Sequence, residues 1–175
     1  MDIKIPYTPR KHQKLLHQQI DKHRWSVLVC HRRFGKTVCM INHLIKSALM
    51  CKEKNPRFAY LAPTFKQAKS IAWDYMKQFT DKIPNTKFNE TELRVDLPNG
   101  ARITLLGSDS PDGLRGIYLD GCVIDEYANV NSRLFPEIIR PALSDRKGYC
   151  VFIGTPAGMN NNFYELYQHA NGADD

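Results

Sequence analysis

The chain alternates short apolar runs with longer segments in which apolar residues recur at helical spacing. Four continuous apolar runs predict buried strands, over residues 25–30, 57–62, 121–126 and 149–154. The helical segments around them cover residues 10–23, 36–50, 65–79, 132–144 and 161–170, and proline interrupts the fourth. Buried strands that alternate with helices are typical of α/β domains, in which helices flank both faces of a mostly parallel central sheet.

Two further segments alternate apolar and polar residues and predict a β-hairpin. These segments, residues 92–97 and 101–107, flank the sequence Pro98-Asn99-Gly100. An Asn-Gly pair supplies the positive φ that a tight turn between antiparallel strands needs. We therefore expect a β-hairpin near 92–106, as an antiparallel excursion from the parallel sheet.

Length and composition indicate one domain. With 175 residues, of which 42% are hydrophobic, the chain can bury one sizeable core, and we expect residues 1–175 to form a single domain. The net charge of +7 favours a polyanionic partner such as nucleic acid. A solvated basic surface explains the same charge equally well, so charge alone does not decide.

Targeting signals and cysteine pairs are absent from the sequence pattern. No apolar run approaches the roughly 20 residues of a membrane helix, and the N-terminus lacks the apolar core of a signal peptide. We therefore expect a soluble, intracellular protein. The five cysteines show no C-x-x-C spacing, which argues against a disulfide framework and a zinc site. Cys122 and Cys150 lie in apolar runs, where they are expected to pack as small hydrophobic residues.

The segment "CHRRFGKT" (30–37) joins the first predicted strand to a helix that starts at Lys36. This context is that of a P-loop, in which backbone N–H groups and a helix N-terminus converge on a phosphate. Gly35 would let the backbone approach the phosphate, Lys36 would reach the β- and γ-phosphate oxygens, and the Thr37 hydroxyl would bind Mg²⁺. The pattern departs from the usual motif at Cys30, where a glycine is expected.

A second motif, "CVIDEY", ends a hydrophobic strand with Asp125 and Glu126, which is the pattern of a Walker B motif. The ends of parallel strands cluster at one edge of a sheet, so this pair is expected to lie beside the P-loop. Asp125 would then hold Mg²⁺ through water, and Glu126 would polarise the water that attacks the γ-phosphate. An acidic pair that merely caps a strand is the alternative. The combination of motifs predicts ATP hydrolysis.

A third apolar strand delivers Gly154, Thr155 and Pro156 to the same edge. In P-loop ATPases with an additional strand between the two Walker strands, this position places a polar group near the γ-phosphate. Thr155 is therefore the candidate for a group that senses hydrolysis and relays it outward. An ordinary strand-to-helix turn is the alternative for this segment.

Together, "CHRRFGKT", "CVIDEYANV" and "FIGTPAG" resemble the N-terminal ATPase domain of the large terminase subunit of tailed bacteriophages. The resemblance spans nearly the whole chain. It implies a P-loop NTPase fold of the additional-strand (ASCE) type and a motor that uses ATP and Mg²⁺ to move double-stranded DNA into a procapsid. It also implies a ring of subunits that works with a portal protein and a small terminase subunit in the host cytoplasm.

The resemblance further assigns residues of the phosphate-binding loop. This family tolerates a P-loop without its first glycine and with an early arginine, which implies that Arg32 contacts nucleotide phosphates or switches between them and a neighbour. Arg33 either shares this role or pairs with an acidic residue. Phe34 and Val38 complete the expected nucleotide-binding stretch.

Two other segments acquire roles through the resemblance. "YTPRKHQ" is similar to an adenine-binding segment, which implies that Gln13 reads the adenine edge, with Tyr7 and Arg10 as packing or phosphate partners. A solvated helix residue is the alternative for Gln13. "APTFKQA" is similar to a segment that couples nucleotide to DNA, where Lys66 and Lys69 either face phosphate or are simply solvated.

Arg115 lies in the loop before the acidic strand, between Gly113 and Gly116. In the terminase family an arginine in this setting resembles the finger inserted into the ATP site of the neighbouring subunit, where it would neutralise charge that develops on the phosphoryl group. A solvated loop arginine is the alternative.

The expected division of the chain is an adenine-binding segment with its helix (1–24), followed by a P-loop core (25–175). Large terminase subunits usually continue into a nuclease domain with clustered acidic residues, and no segment here supplies them, so we expect no DNA cleavage by this chain. Two other readings remain: another helicase-like ATPase that remodels DNA, or a nucleotide-binding module or small-molecule kinase without motor activity.

Overall fold

The computed structural model describes residues 2–31, 33–155 and 162–172. Within these ranges the strands are β1 (Trp25–Val29), β2 (Arg57–Ala62), β3 (Lys87–Asn89), β4 (Arg94–Asp96), β5 (Arg102–Gly107), β6 (Gly121–Ile124) and β7 (Tyr149–Gly154). The helices are α1 (Lys11–Lys22), α2 (Lys36–Met50), α3 (Phe65–Ala68), α4 (Asp74–Thr80), α5 (Arg140–Ser144) and α6 (Asn162–Gly172). The expected strands and helices are therefore present, with ends that differ by a few residues. None of these helices is long and apolar enough to cross a membrane.

The described strands form one sheet in the order β1-β7-β6-β2-β5-β4-β3. The first five strands of this order run parallel, and β4 and β3 are antiparallel additions at one edge. A mostly parallel sheet, as predicted, is confirmed. Because β7 lies between β1 and β6, the strand that ends in Gly154 separates the two strands that lead to "FGKT" and "DE".

The predicted hairpin is present, but its second strand also belongs to the main sheet. β4 pairs antiparallel with β5, and β5 in turn pairs in parallel with β2 from Arg57↔Arg102 to Ala62↔Gly107. The antiparallel excursion therefore consists of β3 and β4. In the turn, Gly100 has φ +84°, and the amide of Leu97 donates to the carbonyl of Ala101 at 2.8 Å. Gly100 alone supplies the positive φ that the Asn-Gly pair predicted.

Alternation along the strands divides the core into two layers. Side chains of Phe58, Tyr60 and Ala62 face α2 and α4, whereas Ala59 and Leu61 share a layer with residues of α5 and α6. Cys122 and Cys150 are completely buried in the second layer, which confirms that they pack as small hydrophobic residues. The sheet thus has helices on both faces, as the alternation of strands and helices indicated.

The helix expected over 65–79 contains an irregular middle. α3 continues into a π-helical turn (Lys69–Trp73) before α4 begins, so one residue is added to the helical register. The indole N–H of Trp73 donates to Glu90 Oε2 at 2.7 Å, which ties this turn to the loop between β3 and β4. A second π-helical turn (Phe135–Ile139) precedes α5 and contains Pro136, consistent with the predicted interruption by proline.

A pair of stacked histidines joins α1 to α2. His17 Nδ1 and His43 Nδ1 are 2.9 Å apart, and His17 Nε2 is 3.0 Å from the Tyr7 hydroxyl. The pKa of His43 is lowered to about 4. Burial is the largest cause, the neighbouring His17 adds to the shift, and Asp21 opposes it. Burial also lowers the pKa of His17. Both imidazoles are therefore mostly neutral at pH 7. The hydrogen bond between them then joins a protonated Nδ1 on one ring to an unprotonated Nδ1 on the other.

The His43 shift predicts loss of stability in acid. Its pKa is lower in the folded chain than the value of about 6.5 in the unfolded chain, so the unfolded state binds the extra proton. The stabilisation is complete above pH 6.5 and is lost as the pH falls towards 4, by about 3 kcal/mol in the free energy of unfolding. Urea titrations of His43→Gln between pH 7 and pH 4 should show a shallower decline.

His23→Gln is the matched control, because His23 is exposed just after the end of α1. It should retain the wild-type decline. An unchanged decline in His43→Gln would contradict the assignment.

Candidate functional site

The parallel strands all deliver their carboxyl ends to one edge of the sheet. The loop of residues 30–35 follows β1, Asp125 and Glu126 follow β6, and Thr155 follows β7. Loops at this edge of an open α/β sheet form a ligand-binding crevice. The sequence-predicted residues of the three motifs are therefore brought together by topology.

The loop after β1 has the backbone of a phosphate-binding turn. Gly35 is left-handed (φ +78°), and its carbonyl accepts the amide of Cys39 at 3.1 Å in the first turn of α2. Arg33 is also left-handed (φ +72°), an uncommon conformation for a residue with a side chain. At the start of the loop, the amide of Cys30 donates to the carbonyl of Gly154 at 3.1 Å. Cys30 is thus accommodated where the usual motif has glycine, as part of a strand-like pairing with β7.

Helix α1 holds the other side of this loop. Arg10 Nη2 donates to the carbonyl of Phe34 at 2.8 Å, and Gln13 Nε2 donates to the carbonyl of Gly35 at 3.3 Å. In a trans peptide the C=O and the following N–H point in opposite directions. Fixing these two carbonyls on α1 therefore turns the N–H groups of Gly35 and Lys36 away from α1, where an anion at the N-terminus of α2 can accept them.

Gln13 is 4% exposed and uses both ends of its amide. Its Oε1 accepts the backbone N–H of Arg10 at 2.9 Å, while its Nε2 contacts Gly35. The side chain is therefore not a solvated helix residue. A cavity of about 290 Å³ lies beside it, lined by Arg10, His12, Gln13, His31, Arg33 and Phe34.

Lys36 meets both acids of the second motif. Its Nζ lies 3.5 Å from Asp125 Oδ1 and 3.3 Å from Glu126 Oε1. The Asp125 side chain is 2% exposed, and the Glu126 side chain is 35% exposed. Glu126 has φ +52°, so its backbone is strained, and its N–H donates to Asp125 Oδ1 at 2.9 Å. One ammonium group thus pairs with a buried carboxylate and a more exposed one.

Tyr60 on β2 is a site residue that the motifs did not indicate. Its hydroxyl donates to Asp125 Oδ2. Burial raises the pKa of Tyr60 well above its ordinary value, and the Asp125 charge raises it further, so the hydroxyl keeps its proton. A tyrosine in a buried strand needs a hydrogen-bond partner, and this was the available signal in "RFAYLA".

Thr37 and Asp125 offer the oxygen donors that a magnesium ion prefers. Thr37 follows Lys36 in the first turn of α2, and Lys36 Nζ is 3.5 Å from Asp125 Oδ1, so both oxygen donors lie at this end of α2. Two protein oxygens that leave the remaining positions to water and phosphate suit Mg²⁺, which gives up its water reluctantly. The chemistry of these side chains therefore fits the expected ion.

Several predicted residues lie away from this cluster. The Tyr7 hydroxyl faces His17, in a second cavity that includes Pro9, Lys14 and Lys46. Arg115 lines a separate cavity of about 190 Å³ with Ser108, Asn131, Arg133 and Glu137. Lys66 and Lys69 are exposed near the start of α3, and Val38 packs on the core. Arg32 and Pro156 lie outside the described residues.

Thr155 is half-buried directly after β7, at the same edge as the acidic pair. Gly154 packs against the ring of Phe163, whose nearest atom would lie 2.7 Å from any added Cβ. The close contact explains a glycine at this position and places α6 against the end of β7. Of the three candidate coupling residues, the structure describes Gly154 and Thr155.

The strand order, the loop and the acidic pair together define a P-loop NTPase of the ASCE type, with β7 as the additional strand between the Walker strands. Residues 29–174 match the family model of the terminase large subunit, T4likevirus-type, N-terminal. The chain belongs to this family. The resemblance inferred from the motifs is thereby confirmed.

Known relatives agree with this assignment. The large terminase subunit of Thermus phage G20c is 30% identical over 126 residues, which cover 61% of this chain and 26% of that protein. The ATPase domain of the Thermus phage P74-26 large terminase is 25% identical with a TM-score of 0.77, over 93% of this chain and 71% of that one. A large terminase of a thermophilic bacteriophage, solved with ADP, shares the fold (18% identity, TM-score 0.76, 90% of this chain, 41% of that one).

The chain spans about a quarter of the length of the curated relatives that it matches. The family assignment applies to the residues present here. The activity and partners of the whole protein are therefore proposals, given below.

The geometry at Gly35 predicts a cost for any side chain there. A Cβ would lie 2.6 Å from Arg10 Nη2 and 3.0 Å from Gln13 Nε2, in a left-handed conformation. Gly35→Ala should lower the free energy of unfolding by about 1–3 kcal/mol, measured by urea titration. Gly172→Ala, where an added Cβ meets nothing within 4 Å, should stay near wild type. Equal stability of the two variants would contradict the described loop.

Proposed function

We propose that this chain is the ATP-hydrolysing motor domain of a viral large terminase, which couples hydrolysis to the movement of double-stranded DNA into a procapsid. The observation that supports it most directly is the position of Lys36. Its ammonium group, at the start of α2, lies within 3.5 Å of Asp125 and Glu126 at the end of β6. A phosphate-binding loop and an acidic pair that share the ammonium group of Lys36 would bind a nucleoside triphosphate and support its hydrolysis.

The ion pairs of Lys36 suggest how nucleotide binding prepares the reaction. A triphosphate at the N-terminus of α2 would attract Lys36 and accept the N–H groups of Gly35 and Lys36. Glu126 would then lose its ion pair with Lys36, and its 35% exposed carboxylate would be available to accept a proton from the attacking water. Arg33 and Phe34, beside the 290 Å³ cavity, would contact the nucleotide, and Arg32 is assigned to the phosphates by resemblance.

Thr37 and Asp125 would hold Mg²⁺. The ion would neutralise charge on the transferring phosphoryl group. The Asp125 carboxylate is oriented by hydrogen bonds from the N–H of Glu126 and from the hydroxyl of Tyr60. Thr155, at the end of the neighbouring strand, would detect the change at the γ-phosphate, with Gly154 and Pro156 relaying it.

Base recognition is assigned to the cavity beside α1. Gln13 braces the P-loop through Gly35, so an adenine that used its amide would exchange one hydrogen bond for another. Tyr7 supports α1 through His17, a packing role consistent with one of its predicted alternatives. Arg10 would support the loop from the side opposite the phosphates.

DNA, other subunits and packaging proteins are the partners that the family assignment supports as proposals. The net charge of +7 suits double-stranded DNA, and the exposed Lys66 and Lys69 are available at the edge that bears the site. We propose that subunits form a ring in which Arg115 enters the neighbouring ATP site, with a portal protein and a small terminase subunit as further partners in the host cytoplasm. Residues 1–175 would act as one ATPase domain without nuclease activity.

Glu126→Gln tests the assigned base. Glutamine retains an oxygen for Lys36 but cannot accept the proton, so phosphate release should fall by about 10²–10⁴-fold. Affinity for a fluorescent ATP analogue should change by less than about threefold, because the P-loop contacts remain. Glu53→Gln, exposed before β2, is the control with normal turnover. Full activity in Glu126→Gln would refute the role.

Arg115→Ala tests action between subunits. If Arg115 completes the neighbour's site, the variant should bind ATP normally but release phosphate at least 10³-fold more slowly. Mixing it with Glu126→Gln protein should restore part of the rate, since some interfaces regain a complete site. Arg133→Ala, in the same cavity, is the control and should need no rescue. Absence of rescue under assembling conditions would rule out the trans role.

A further inference from the structure

Among the residues that the structure describes, Tyr60 makes a buried polar contact at the site that neither the motifs nor the family description assigns. It lies on β2, the strand next to β6, with its backbone opposite Val123 in the parallel register. Tyr60 and Asp125 project from the same face of the sheet, towards the N-terminus of α2. The phenol therefore contacts Asp125 from the core layer that the sheet shares with α2.

The direction of the hydrogen bond follows from proton count. A neutral phenol has one proton, and Tyr60 donates it to Asp125 Oδ2. The phenol is therefore the donor and the carboxylate the acceptor, and this direction cannot reverse while Asp125 is ionised. The phenol occupies Asp125 Oδ2, so the carboxylate presents a defined edge rather than rotating freely.

Burial makes the arrangement rigid. Tyr60 is completely buried and packs in the core layer shared by α2 and the sheet, so its hydroxyl cannot be replaced by a mobile water. The other side of Asp125 is held by the N–H of Glu126 at 2.9 Å and by Lys36 at 3.5 Å. When Lys36 turns to a phosphate, Tyr60 and the Glu126 N–H are the contacts that still orient Asp125.

We propose that Tyr60 is a positioning residue for the magnesium site, which orients the Asp125 carboxylate towards the ion through its buried hydrogen bond. This inference rests on the proposed nucleotide site and adds a residue to it. Tyr60 itself touches neither metal nor nucleotide. Its effect is therefore expected in the contribution of Mg²⁺ to binding rather than in binding of the nucleotide alone.

Tyr60→Phe keeps the buried ring and removes the hydroxyl. The control is Tyr149→Phe, which removes a tyrosine hydroxyl from its hydrogen bond to Ser47 Oγ (3.0 Å), eleven positions along α2 from Lys36 and about 16 Å away along the helix. Each variant removes a tyrosine hydroxyl and the hydrogen bond it makes, so a general loss of stability should appear in both. Only Tyr60→Phe should affect the ion.

The measurement is the affinity for a fluorescent ATP analogue in EDTA and across a Mg²⁺ titration. In Tyr60→Phe the Mg²⁺ concentration for half-maximal enhancement should rise about tenfold, while affinity in EDTA stays within about twofold of wild type. Tyr149→Phe should match wild type in both. If Tyr60→Phe does not fold, 4-fluorophenylalanine in place of Tyr60 fills the hydroxyl position without a donor and should give the same shift.

The outcomes separate the two proposals. A wild-type protein that does not bind the analogue at any Mg²⁺ concentration would refute the nucleotide site, and the role of Tyr60 with it. Binding that does not respond to Mg²⁺ would overturn the magnesium site and the Tyr60 proposal but not the nucleotide site. A normal wild-type response that Tyr60→Phe retains would overturn the Tyr60 proposal alone. Equal loss of affinity in EDTA and in Mg²⁺ would also overturn it, because that pattern belongs to a structural residue of the P-loop.

Discussion

The Asp125 side chain is almost completely buried, so the cost of its charge depends on the groups around it rather than on water. Lys36 supplies the opposite charge, while the hydroxyl of Tyr60 and the N–H of Glu126 supply hydrogen bonds. Lys36 belongs to α2, Tyr60 to β2, and Glu126 is the second residue after β6. A charge of this kind therefore holds the loop after β1 and the ends of two strands in one arrangement.

The same edge of the sheet contains strained backbone. Arg33 and Glu126 both have positive φ, at positions where a side chain is required for the proposed chemistry. Each such residue costs of the order of 1–3 kcal/mol and persists only because its surroundings enforce it. Here a parallel sheet, the brace from Arg10 and Gln13, and the Cys30–Gly154 hydrogen bond provide the enforcement. The packed sheet and these hydrogen bonds thus hold the strained loops in place.

Sequence patterns predicted the parallel strands and most of the helices, because buried strands and amphipathic helices have distinct periodicities. They also predicted that Lys36, Asp125 and Glu126 would meet, since parallel strands share an edge. They did not predict β3, which has three residues and no clear alternation. The double role of β5 was also missed, because pairing partners depend on tertiary packing that local alternation does not encode.

The contacts of Tyr60 and Gln13 could not be read from motifs for a related reason. Each side chain is defined by what it reaches from a distant part of the chain, Asp125 for one and Gly35 for the other. A buried tyrosine in an apolar strand signals that a partner exists but does not identify it. Spacing along the chain locates groups that act on a ligand, whereas the residues that hold those groups are identified by their neighbours in space.

The π-helical turn between α3 and α4 also constrains insertions and deletions. Each residue of a regular α-helix advances the chain by about 100° around the axis, so the extra residue of a π turn shifts the phase of all that follows. α4 buries Met76 and Phe79 in the core, and Trp73 reaches Glu90 within this shifted phase. Deleting one residue of this turn would leave a regular α-helical turn and keep Met76 and Phe79 on the core side, whereas a deletion within α4 would rotate the side chains that follow it by about 100°. The π turn is therefore the place in this segment where a one-residue change in length can be absorbed.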